Sequence, residues 1–75
     1  MKVCVLGDGG WGTALAMVLN NNGHHVSVWG PEEKNIGIIK KNNENINYLP
    51  GVKLPISIEW NSKMDEVIND VELIV

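Results

Sequence analysis

The order of apolar segments points to an α/β protein, a doubly wound parallel sheet in which four strands alternate with three helices. The apolar run Val3-Cys4-Val5-Leu6 opens straight into glycines, and from Gly10 the apolar spacing becomes helical. Strand-like and helix-like stretches then alternate to the last residue. Such alternation implies right-handed βαβ units, whose crossovers lay helices on the faces of a parallel sheet.

The first run is short, unbroken and rich in β-branched residues, as a strand covered on both faces should be. Trp11, Ala14, Leu15, Val18 and Leu19 then fall at i, i+3, i+4, i+7 and i+8, the stripe of a helix lying on a sheet. Asn20-Asn21-Asn22-Gly23 ends that helix, and Val26-Ser27-Val28-Trp29 forms a second strand. Gly30-Pro31 breaks the strand, with Pro31 suited to a first helical position. Glu32 and Glu33 then lie in the first turn and Lys40 and Lys41 in the last, matching the helix dipole. Gly37 weakens this helix by up to about 1 kcal/mol relative to Ala. Asn42 to Leu54 reads as loop, and Ile56-Ser57-Ile58-Glu59-Trp60 alternates as a third strand. Ser62 and Asp65 have the spacing of a capping box, opening a short helix with Met64, Val67 and Ile68 inward. Val71–Val75 is expected to be a buried strand.

The chain has 75 residues, 44% hydrophobic and 20% charged, the balance of an ordinary globular chain. Six lysines, no arginine and nine acids leave a net charge of −3, which argues against a nucleic-acid partner. No apolar run reaches the ~18–20 residues of a membrane span, and the opening is too short for a secretory leader. One cysteine excludes an internal disulfide and a CxxC metal site. These features suggest a cytoplasmic protein. A domain this small buries only ~60% of its unfolded surface, so residues 1–75 are read as the N-terminal part of a larger domain.

Gly7-Asp8-Gly9-Gly10-Trp11-Gly12 satisfies GxGxxG through Gly7, Gly9 and Gly12. The pattern is weak alone. Here it follows a buried strand and opens an amphipathic helix within a βαβ unit, the context that makes it informative. Gly7 permits the tight turn, Gly9 lets backbone approach a pyrophosphate, and Gly12 lets helix pack on strand. The negative charge of a dinucleotide then meets a helix N-terminus, so an acidic protein can bind it without basic side chains. No GKS or GKT follows, which disfavours a kinase-type phosphate loop. A flavin or methyl donor stays open, because fold alone does not set the ligand.

The end of the second strand bears on NAD against NADP, since an acid there binds ribose hydroxyls and a base accommodates a 2′-phosphate. Glu32 lies about 20 residues past Gly12, the usual separation for such an acid, though it also suits a helix-dipole acid. Lys34 is the only base nearby. The cofactor is NAD or NADP, with the balance toward NAD.

The glycine turn followed by Thr13-Ala14-Leu15-Ala16, then Val28-Trp29, then Asn45-Ile46-Asn47-Tyr48-Leu49-Pro50-Gly51-Val52-Lys53-Leu54-Pro55 resembles NAD(P)-dependent glycerol-3-phosphate dehydrogenase. The likeness spans nearly the whole chain, and the Tyr-Leu-Pro-Gly element is its most specific part. The resemblance implies an N-terminal Rossmann domain followed by a helical substrate domain. It further implies hydride transfer between NAD(P)(H) and sn-glycerol 3-phosphate or dihydroxyacetone phosphate, supplying glycerophospholipid synthesis. Gly10 and Trp11 would then lie near the pyrophosphate and nicotinamide, Pro31 near the adenosine ribose, and Tyr48 in a loop facing the cofactor cleft. Gly10 stands where members often carry Ser or Asn, and Pro31 where many bacterial members carry Arg or His. The family's catalytic lysine would lie beyond residue 75, so no catalytic residue is assigned here and the isolated piece is expected to be inactive. A homodimer is a further option. Rival readings are another Rossmann dehydrogenase, ketopantoate-reductase-like or acting on hydroxyacids, and a non-catalytic dinucleotide-binding module. Tyr48–Gly51 argues against the former.

Other polar and reactive residues read as structural. Cys4 is a small buried hydrophobe. His24 and His25 are adjacent, so their side chains diverge and do not share a metal. Asp8 would repel phosphate if it pointed inward and is expected to face out or cap locally. Trp29 and Trp60 belong at the edge of the core, each needing an indole partner. Lys40-Lys41 and Asp65-Glu66 are solvated helix charges.

Overall fold

The computed structural model describes all 75 residues. The elements are β1 (Lys2–Leu6), α1 (Gly10–Asn21), β2 (His25–Trp29), α2 (Glu33–Asn42), β3 (Glu59–Asn61), α3 (Met64–Val67) and β4 (Leu73–Ile74). All pairings are parallel, in the order β3-β2-β1-β4. β1 and β2 run in full register from Lys2 beside His25 to Leu6 beside Trp29. Val3, Cys4, Val5, Val26 and Val28 are buried, as strands covered on both faces require, and Ser27 is buried between the two valines of β2. Because the strands are parallel, the segments leaving β1 and β2 emerge at one edge of the sheet. That edge carries the candidate site.

α1 begins where expected but turns a different face to the sheet. Thr13 and Ala16 are buried and Met17 and Leu19 pack partly on the core, whereas Trp11 is 76% and Val18 57% exposed. A Cβ on Gly12 would overlap the Gly7 carbonyl oxygen, so the helix approaches the strand more closely than a bulky stripe permits. The face of Gly12, Thr13 and Ala16 fits that gap. The Thr13 hydroxyl is satisfied there by donating to the Asp8 carbonyl at 3.2 Å.

α2 carries Glu33 in its first turn and Lys40 and Lys41 in its last, the expected dipole match. Pro31 is not in its first turn; it sits in the bend before the N-cap, Glu32. The helix ends on Asn43 in the left-handed region, at φ 52°. Ile36 and Ile39 enter the core with Leu54, Ile58 and Trp60.

Three further expectations are corrected. Ile56 is 86% exposed in a turn, and the third strand begins only at Glu59. Leu54 and Ile58 reach the core as loop residues, which frees the chain from strand alternation there. α3 has no side-chain cap from Ser62, whose carbonyl instead accepts from Trp29 Nε1 at 2.9 Å. Asn61 takes the organising role, accepting from Lys63 N at 3.0 Å and donating to Glu66 Oε2 at 2.6 Å. Of the inward set only Val67 is buried; Met64 and Ile68 are exposed. β4 is a two-residue edge strand paired only with β1, and its side chains are half-exposed rather than buried, since no helix of the chain packs over it.

Candidate functional site

Three of the four glycines in the turn after β1 are each held by a different constraint. Gly7 has φ 128°, a conformation L side chains rarely adopt. Gly12 is held to glycine by the Gly7 carbonyl. A Cβ on Gly10 would lie 2.8 Å from the carbonyl oxygen of Tyr48, so this glycine admits the 45–51 loop. Gly9 differs from all three. Its φ of −66° suits any residue, and a Cβ there would meet nothing within 4 Å. Glycine suits this N-cap position, but neither backbone angle nor crowding within the chain requires it.

The first helical bond runs from Thr13 N to Gly9 O at 2.9 Å, and no side chain caps α1. The amides of Gly10, Trp11 and Gly12 therefore have no acceptor within the helix. No acid occupies that first turn. Free N–H groups and the positive end of the dipole thus meet the space beside Gly9, an arrangement that favours an anion.

A buried polar network holds this turn in place. Asn45, wholly buried, donates through Nδ2 to the Asp8 carbonyl at 2.5 Å and to Thr13 Oγ1 at 2.9 Å. Its loop is closed by a bridge between Asn45 and Leu49. Asn35 Nδ2 donates to Asp8 Oδ2 at 2.6 Å, and Asn47 Nδ2 donates to Asn35 Oδ1 at 2.8 Å. The expectation that Asp8 faces out or caps locally is therefore corrected: it is buried, pointing toward α2, and does not cap α1. Room exists because Gly30 has no side chain there.

The structure brings the sequence-derived candidates to one edge. Gly7, Gly9, Gly10, Trp11 and Gly12 form the turn and helix start, Pro31 and Glu32 follow β2, and Tyr48 reaches over from the loop. Tyr48 Oη donates to Glu32 Oε1 at 3.5 Å, linking the loop to the start of α2. Trp11 projects into solvent and is not core of this chain. Asp8, Asn35, Asn45 and Asn47 were not singled out as site residues by the sequence reading. Asn35 carries the one available signal, as a polar residue beside Ile36 on the buried face of α2.

Residues 2–75 match the family model described as the NAD-dependent glycerol-3-phosphate dehydrogenase N-terminus. The chain is 45% identical over 74 residues to glycerol-3-phosphate dehydrogenase (NAD(P)+) of Agathobacter rectalis, covering 99% of this chain and 22% of that protein. The same identity and coverage hold for the enzyme of that name from Bacillus thuringiensis. Among solved structures, glycerol-3-phosphate dehydrogenase of Coxiella burnetii superposes with a TM-score of 0.91 at 30% identity, covering 97% of this chain and 22% of that one. The yeast enzyme superposes with a TM-score of 0.88 at 32% identity, covering 99% and 25%. The chain thus spans about a fifth of the length of the curated relatives it matches.

Proposed function

The chain belongs to the NAD-dependent glycerol-3-phosphate dehydrogenase family, matching its N-terminal model, and from that premise we propose that residues 1–75 are the N-terminal part of the dinucleotide-binding domain of an oxidoreductase. The proposed reaction is hydride transfer between NAD(P)(H) and sn-glycerol 3-phosphate or dihydroxyacetone phosphate, the substrate pair that the family name implies. Its proposed setting is the cytoplasm, supplying glycerophospholipid synthesis. No helix of the chain is long and apolar enough to cross a membrane.

Gly9 carries the reading. It is the one glycine of the turn that neither backbone angle nor internal packing explains, and it adjoins amides without acceptors. A diphosphate approaching it accounts for both features. Gly10, Trp11 and Gly12 would hold the diphosphate through backbone N–H groups, while Pro31, Glu32 and Tyr48 would border the adenosine end. When bound, the nicotinamide supplies the hydride chemistry. The chain's own contribution is to bind and orient; no residue within it is assigned to proton transfer.

Calorimetry with NADH on the full-length protein tests this, beside an assay of dihydroxyacetone phosphate reduction. Native protein should bind and turn over, and Gly9→Val should abolish binding while the fold survives. Unchanged affinity in Gly9→Val would contradict the assignment of the turn. Binding without turnover would reduce the protein to a binding module.

A further inference from the structure

The carboxylate of Asp8 fills the place that a side chain at the end of β2 would take. Gly30 follows β2 directly, and a Cβ on it would stand 2.6 Å from both Cγ and Oδ2 of Asp8. Asp8 is 7% exposed, and its side-chain partner is the neutral amide of Asn35 rather than a lysine. Oδ2 takes that bond. Oδ1 takes none from the chain and is not among the enclosed polar atoms lacking a partner, so it borders space that solvent reaches.

In sheets of this build the end of the second strand meets the adenosine ribose. Gly30 offers no side chain there, and Pro31 offers no polar one. We infer that Asp8, reaching over from the glycine turn, sets the ribose preference: its carboxylate accepts from a free 2′-hydroxyl and repels a 2′-phosphate. The inference rests on the dinucleotide reading above and adds the ligand class, a dinucleotide with an unesterified adenosine ribose. Burial strengthens the repulsion, because a charge set in protein is screened far less by solvent and salt than one at the surface. Glu32, exposed at the start of α2, adds a second acid to the same rim.

The test is the pair of dissociation constants for NADH and NADPH, measured by calorimetry on the full-length protein as native, Asp8→Asn and Asn35→Ala. Native protein should bind NADH more tightly by about tenfold or more, and Asp8→Asn should close most of that gap by strengthening NADPH binding. Asn35→Ala keeps the charge but removes its partner, so it should weaken both nucleotides alike and keep the gap. A merely structural role for Asp8 would move both constants together. Native preference for NADPH, or a gap unchanged in Asp8→Asn, overturns the inference. So does a gap that shrinks as far in Asn35→Ala. Should Asp8→Asn not fold, Asp8→Ser is read in the same way beside the native ratio. Native protein binding neither nucleotide would overturn the dinucleotide reading itself, and this inference with it.

Discussion

The carbonyl oxygen of Tyr48 stands over Gly10, 2.8 Å from where a Cβ would be. This contact seats the 45–51 loop on the first turn of α1, with Asn45 anchoring the same loop from beneath. The obstacle is main chain and a Cβ is fixed by its own backbone, so neither can swing aside. Gly10→Val should lower stability by about 1–3 kcal/mol, the usual range for overpacking. Gly9→Val, facing open space, should cost no more than the about 1 kcal/mol that a poor N-cap carries. Urea unfolding of the two variants checks the order, and equal losses would refute it.

Gly12→Ala should damage stability and dinucleotide binding together. Its Cβ would overlap the Gly7 carbonyl, forcing α1 away from β1 and displacing the free amides. The expected stability loss is about 1–3 kcal/mol or somewhat more, since the obstacle is main chain. Parallel melting and calorimetry would show it, and weakened binding at native stability would be the wrong result.

Asn45→Ala removes two donated hydrogen bonds, to the Asp8 carbonyl and to Thr13 Oγ1, at a fully buried position. A loss of about 1–3 kcal/mol is expected, the range for stranding buried polar groups. Hydrogen exchange should also rise in residues 43–51 before it rises in β1. Uniform exchange across the chain would mean that Asn45 does not tether the loop.

Burial pushes the Cys4 thiol above its ordinary value of 9.0. The folded state then holds this proton more tightly than the unfolded state. Its contribution is complete below the unfolded value and is lost as pH rises through the folded one. Between pH 8 and 11, unfolding midpoints of the native protein should fall more steeply than those of Cys4→Ala, roughly from pH 9 upward. Parallel slopes would remove Cys4 as the cause. Alkylation of the native thiol at pH 7 should be slow for the same reason.

Features written in local pattern could be read from the sequence. β1 announces itself as an unbroken apolar run, β2 as a short β-branched and aromatic stretch, α2 through its charged ends, and the glycine turn through its spacing. Features decided by distant residues could not. The buried face of α1 depends on how near Gly12 approaches Gly7, and bulk-based periodicity instead selects a stripe whose Trp11 and Val18 are exposed while only Leu19 meets the core. The late start of β3 follows from Leu54 and Ile58 filling the core as loop residues. Asp8 turns inward because Gly30 leaves a hollow and Asn35, 27 positions away, supplies a donor. The family resemblance makes Gly10 a ligand position, and only its contact with Tyr48 shows that loop closure also demands it.

The strand order has a consequence for synthesis. β1 leaves the ribosome before the other strands of this sheet, yet it lies between β2 and β4, and its Leu6 amide bonds to the carbonyl of Val75 at 2.8 Å. This earlier-made strand must therefore wait, with one side unpaired, until the segment around residue 75 has emerged. Until then its exposed edge is a target for chaperones or for mispairing with a neighbouring chain.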